Sequence, residues 1–140
     1  MPAKDIHHFA LKKALEKDDW EITKDPFTIS TPGVDFYIDL GAERNFIEAE
    51  RGTERIAIEV KSLKGNSPFY DYHQALGQFL MYKLALKMSN FDHKPYLAIP
   101  EAQYLTLKRT LIYPESWEVY GVNLIVFDEE FQKIIQWIKN

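Results

Sequence analysis

Arg55-Ile56-Ala57-Ile58-Glu59-Val60-Lys61 is the stretch on which the fold turns. Its β-branched residues suit a pleated surface. Strand alternation puts Ile56, Ile58 and Val60 on one face and Ala57, Glu59 and Lys61 on the other. The run is too apolar for a sheet edge and is expected in mid-sheet. Just upstream, Phe46-Ile47-Glu48-Ala49-Glu50 also reads as a strand, and Arg51-Gly52-Thr53-Glu54 as a turn. A hairpin over 46–62 follows, with its tight turn at Gly52-Thr53 and Phe46 opposite Glu59.

Working outward, residues 4–18 predict a helix. Ile6, Phe9, Ala10 and Ala14 recur at helical spacing, and Leu11 and Leu15 widen the stripe. Trp20 to Thr23 and Pro26 to Ser30 read as extended chain, Thr31-Pro32-Gly33 as a turn, and Val34 to Leu40 as a further β run. A helix is expected from about Tyr72 to Met88, capped by Asp71 with Gln74 in a capping box. Its inner stripe reads as Leu76, Phe79, Leu80, Lys83 and Leu84, and Gly77 suggests close packing on the sheet. Tyr96 to Ile99 is a strand, Pro100 opens a helix at about 101–111, and Val122 to Phe127 is an interior strand. Asp128 is expected to cap a last helix carrying Phe131, Ile134, Ile135 and Ile138. Short turns make the early strands antiparallel, and helical connections make the later ones parallel. The reading is an α/β or α+β protein with a mixed sheet flanked by helices, one domain over 1–140.

Composition narrows the function. The chain has 140 residues and no cysteine, which excludes disulfides, thiolate metal sites and thiol catalysis. No apolar run is long enough for a membrane span and the N-terminus has no signal-peptide character, so a cytoplasmic protein is expected. A net charge of −4 argues against a protein that coats nucleic acid, whose affinity comes from cationic contacts to phosphate. A nuclease can still be acidic, because its metal ligands are carboxylates. There is no phosphate-binding glycine loop, no dinucleotide fingerprint and no Gly-x-Ser-x-Gly. No basic aromatic stripe marks a single-strand-binding surface.

The chemistry is expected at Glu59 and Lys61. Charges on a central strand are costly to bury unless paired or metal-bound. A carboxylate holds a divalent cation through oxygen, and a neighbouring ammonium can orient a water or offset phosphate charge. The bland alternative is a surface Glu-x-Lys pair of little energetic value. A metal site needs a second acid, and Asp35, Asp39, Glu43, Glu48 and Glu50 are the upstream choices. The predicted register favours Glu43, or Asp39 if the chain bends there, with Glu48 next. Glu50 is expected to pair with Arg55. Gln78 follows on the next helix, where it could bind a water or a phosphate oxygen. Asp5, His7 and His8 open the first helix, with His8 a candidate base or metal ligand and surface groups the alternative. His73 and His93 show no ligand spacing. Tyr70, Tyr72, Tyr113, Trp117 and Tyr120 are candidate exposed rings for a protein partner.

Several segments resemble the XisH family, the fdxN-element excision controlling factors of cyanobacteria. They are Lys4-Asp5-Ile6-His7-His8, Ile38-Asp39-Leu40-Gly41-Ala42-Glu43-Arg44, Ile56-Ala57-Ile58-Glu59-Val60-Lys61-Ser62, Ala75-Leu76-Gly77-Gln78-Phe79 and Leu124-Ile125-Val126-Phe127-Asp128. The resemblance covers essentially the whole chain. It implies the PD-(D/E)xK nuclease-like superfamily, with a restriction-endonuclease-like αβββαβ core. It also implies a role in excising a DNA element during heterocyst differentiation, alongside a site-specific recombinase and a small companion, XisI. In the superfamily, a strand acid and the Glu-x-Lys pair bind Mg2+ or Mn2+ and cleave DNA. Carried over, Glu59 and Lys61 take the pair, Asp39 or Glu43 the strand acid, and Gln78 the helix glutamine. His8 stands roughly where some resolvase-like members have a first-helix acid. A histidine there is a departure, as is the missing Pro-Asp before the second strand. DNA and a protein partner are thus the expected partners, and a dimer is compatible with the reading.

Overall fold

The computed structural model describes residues 3–45 and 52–140. In chain order the elements are α1 (Ala3–Lys17), β1 (Glu21–Lys24), β2 (Phe27–Thr31), β3 (Val34–Ile38), β4 (Leu40–Asn45), β5 (Thr53–Val60), α2 (Pro68–Met88), β6 (Lys94–Pro100), α3 (Glu101–Lys108), α4 (Ile112–Val119), β7 (Leu124–Asp128) and β8 (Lys133–Ile138). Six strands form a mixed sheet in the order β1-β4-β5-β6-β7-β8, and β2 pairs with β3 in a separate hairpin. The β5–β6 and β6–β7 pairs are parallel, as helical connections require, and the others are antiparallel.

β5 divides its side chains as its alternation dictates. Ile56, Ile58 and Val60 pack with Ala10, Leu11 and Leu15 of α1, Tyr96 and Ala98 of β6, and Ile125 and Phe127 of β7. The opposite sheet face carries Leu97, Ile99, Leu124 and Val126 against Tyr72, Ala75 and Phe79 of α2, Leu107 of α3 and Trp117 of α4. Ala57 lies on that second side too, under a smaller cluster joining Phe27, Ile29 and Ile38 of the hairpin to Tyr82, Ala85 and Leu86 of α2. Helices thus cover both faces, and Glu59 projects toward α2.

Several expectations are corrected. Residues 133–138 form a strand, not a helix. Their Ile and Trp content suits a pleated surface, and β7 offers an unpaired edge. Asp128 caps a turn, its Oδ1 accepting from the Glu130 and Phe131 amides at 2.9 and 3.0 Å. α2 starts four residues earlier than expected, with Ser67 as cap and Pro68 at its first turn. Asp71 instead accepts a hydrogen bond from the Gly65 amide at 2.8 Å, and Gln74 donates to the Tyr70 hydroxyl. The buried stripe of α2 is Tyr72, Ala75, Phe79, Tyr82, Ala85 and Leu86, while Leu84 and Lys83 face outward. Gly77 is exposed and a Cβ there would meet nothing within 4 Å, so it does not serve close packing on the sheet. In α1, Ile6 and Phe9 face solvent and His7 is buried instead. The helix expected at about 101–111 ends at Lys108, and a second helix, α4, follows it.

The hairpin register also differs. Leu40 pairs with Ile58, Ala42 with Ile56 and Glu43 with Arg55. The first arm is therefore 40–45, and this pairing brings Asp39 rather than Phe46 beside Glu59. The predicted arm at 46–50, with Glu48 and Glu50, and Arg51 of the predicted turn lie outside the described residues.

Candidate active site

The sheet geometry itself builds an acidic clip. Amides of a strand interior alternate between its two neighbours. The Lys61 amide bonds to Ala98 O of β6 at 2.9 Å. The Val60 amide points the other way, where the chain has already bent between β3 and β4. Asp39 sits at that bend, and its Oδ2 accepts from Val60 N at 2.8 Å. In return Asp39 N donates to Glu59 Oε1 at 3.1 Å. The two carboxylates are thereby fixed by each other's strand, and both are buried, Glu59 at 5% exposure and Asp39 at 9%. Lys61 Nζ lies 3.1 Å from Glu59 Oε2 and is itself half-exposed.

Electrostatics follow from this packing. Burial pushes the Glu59 carboxyl up, the adjacent Asp39 charge adds to it, and Lys61 offsets only part, leaving it at about 7. Tyr82 is buried near the same pair. Burial, then Glu59 and Asp39, raise its phenol well above the ordinary value, and its hydroxyl donates to Tyr37 O at 3.2 Å. Nothing in the sequence singled out Tyr82, because only the fold brings α2 over β5.

Lys61 opens onto a cleft of about 360 Å3, lined also by Ser62, Leu63, Asp71, Gln74, Ala75 and Gln78. The structure therefore brings Lys61 and Gln78 to one hollow. It does not bring Glu43 there. Glu43 Oε1 accepts from Arg55 Nε at 3.1 Å, and Arg55 also holds Asp92. Glu43 lies four residue steps along the extended chain from Asp39, roughly 13 Å. His8 Nε2 lies 3.0 Å from Asp25 Oδ1, and Lys12 Nζ is 2.7 Å from Oδ2 of the same residue. Burial opposes the charge on Asp25, but Lys12 and His8 outweigh it and hold the carboxyl below its usual value. His7, rather than His8, is the buried histidine of α1, set against Glu129, a carboxylate that also takes Lys64 Nζ at 2.6 Å. Tyr70 and Tyr120 are exposed as expected of partner-binding rings, whereas Tyr72, Tyr113 and Trp117 are core residues.

Among the described residues no three His, Cys, Asp or Glu side chains group as metal ligands. Asp39 and Glu59 nevertheless suit a hard divalent cation. They are oxygen donors of like charge, held together in a buried place where an ion would relieve their repulsion.

Fold and site together define a mixed α/β protein with an acid pair and a lysine at the end of a central strand. The chain belongs to the XisH family, whose model, described as XisH protein, matches residues 1–135. It is similar to the crystal structure of a fdxN element excision controlling factor protein from Anabaena variabilis, with 40% identity and a TM-score of 0.86 over 96% of this chain and 99% of that one. It is similar also to an XisH family protein from Nostoc punctiforme PCC 73102, with 39% identity and a TM-score of 0.86 over 96% and 100% of the two chains. Among curated proteins none matches. Among the described residues no helix is long and apolar enough to cross a membrane.

Proposed function

We propose that this chain is an excision controlling factor with a nuclease-like site, acting on DNA in the cytoplasm as a metal-dependent phosphodiesterase. The observation that carries the reading is the buried Asp39–Glu59 pair with Lys61 beside it at the mouth of a cleft. Asp39 and Glu59 would hold Mg2+ or Mn2+, which when bound supplies a Lewis acid and lowers the pKa of a coordinated water. Lys61 places a positive charge where the scissile phosphate would enter. Gln78, on the facing wall, offers a donor and an acceptor to a phosphate oxygen or a water. The XisH relationship supports the excision role, since one relative carries that description.

The test is incubation with magnesium or manganese and a panel of linear, branched and supercoiled DNA. The wild-type chain is expected to cut, and Glu59→Ala, Asp39→Asn and Lys61→Ala to lose roughly 100-fold or more, as expected for removing groups that stabilise transition-state charge. Equal behaviour of wild type and Glu59→Ala refutes the catalytic reading.

A second reading, control through a protein partner such as XisI or a site-specific recombinase, is favoured by one feature. An apolar groove of about 300 Å3 lies between α2 and α4, with Ile112, Val119 and Tyr120 exposed along it. Co-purification of a complex that survives Lys61→Ala and is lost on Val119→Asp supports this reading. No binding at micromolar concentration counts against it.

A further inference from the structure

The substrate class of the same site can be narrowed, and the inference rests on the DNA-processing reading above. The cleft beside Lys61 shares a wall, Gln78, with a second hollow of about 340 Å3 under the β2–β3 hairpin. Asp71, Gln74, Gln78 and Tyr82 line the two hollows from one side of α2, at helical spacing. Together the hollows make a trough of roughly 16 Å by the helix rise.

An aromatic ring stands free at each end. Tyr37 lines the hairpin hollow and is 59% exposed, its backbone carbonyl fixed by the Tyr82 hydroxyl. Tyr70 precedes Asp71 at the other end and is 61% exposed, its hydroxyl held by Gln74 Nε2 at 3.2 Å. Neither ring serves the core. Rings with free faces on rigid supports are what unpaired bases stack on.

Charge argues against a duplex. Lys61 is the only cationic side chain among the described residues lining the two hollows, and Asp35 and Asp71 line them as well. A surface that tracks a duplex gains its affinity from many phosphate contacts, which one lysine beside two aspartates does not supply, so stacking on the two rings has to carry the binding without the basic groove that general single-strand binders add. Here one lysine serves the trough of a chain with net charge −4.

We propose that the trough takes a single DNA strand, laid along α2, with bases stacked on Tyr37 and Tyr70 and a phosphate at Lys61. The natural substrate is then single-stranded, or a branched DNA with an unpaired arm, rather than intact duplex.

Binding without cleavage tests this. The full chain is titrated in EDTA into a fluorescently labelled short oligodeoxythymidylate and, separately, a labelled duplex of the same length, with anisotropy as readout. The strand should bind roughly tenfold or more tightly than the duplex. Its affinity should fall with salt at a log–log slope near −0.7, the value for about one phosphate contact. Tyr37→Ala and Tyr70→Ala should each weaken strand binding roughly 5- to 100-fold, and the Phe variants should not. Duplex bound as tightly as the strand, or alanine variants of unchanged strand affinity, overturns the proposal. If duplex is then cut in a Glu59-dependent manner, the nuclease reading stands while this one falls. If neither DNA is bound or cut, both fall together.

Discussion

Replacing Glu59 by Gln should make the protein more stable above neutrality and leave it nearly unchanged in acid. The reason is the raised carboxyl at about 7, against an ordinary value of 4.5, caused by burial and by Asp39. Below pH 4.5 the residue is neutral in both folded and unfolded chains. Between 4.5 and about 7 the unfolded chain gives up its proton while the folded chain keeps it, so stability is lost as pH rises. Above that window the loss is complete. At about 1.4 kcal/mol per pH unit, its ceiling is roughly 3 kcal/mol. Gln carries no charge and escapes the loss. Its single amide oxygen must replace two carboxylate oxygens, one facing the Asp39 amide and one facing Lys61. The net gain is therefore set at about 1–3 kcal/mol at pH 8, or roughly 4–10 °C in Tm for a chain of this size. Thermal melts of wild type and Glu59→Gln from pH 4.5 to pH 8 provide the assay. A difference in Tm that does not change with pH, or a variant less stable at pH 8, refutes the buried-charge argument. Added magnesium at pH 8 should raise the wild-type Tm and leave the Gln variant unmoved, since an ion bound only to the folded state stabilises it.

Three further outcomes follow from the packing. Ile58→Ala removes a fully buried side chain between α1 and the sheet and should cost about 2–5 kcal/mol, read from the urea midpoint. Gly77→Ala should stabilise by about 0.5–1 kcal/mol, because the site is exposed, helical and open to a Cβ, and a lower urea midpoint would show that it is crowded. Asp128→Ala removes two turn hydrogen bonds ahead of β8 and should cost about 1–2 kcal/mol, with faster amide exchange in β8 than in β5 as its signature.

The alternation of Ile56-Ala57-Ile58-Glu59-Val60-Lys61 by itself determined a central strand with an acid and an amine on one face, because period-two side-chain direction is local geometry. The same locality made α1, α2, β6 and β7 readable from their periodicity. Residues 131–138 satisfied helical spacing equally well, and only the open edge of β7 decided that they extend. The partner of Glu59 was likewise undetermined. The observed β4–β5 pairing differs from the predicted register by several residues, and each residue of shift moves a side chain by more than 3 Å and to the other face. Asp39 reached Glu59 because the chain bends between β3 and β4, which leaves the Val60 amide for a carboxylate. Glu43 was drawn to Arg55, which the chosen register set opposite it. Tyr82, Gln78 and Tyr37 line one hollow only because α2 and the hairpin are laid over the sheet. Such contacts join residues tens of positions apart, and no local pattern encodes them.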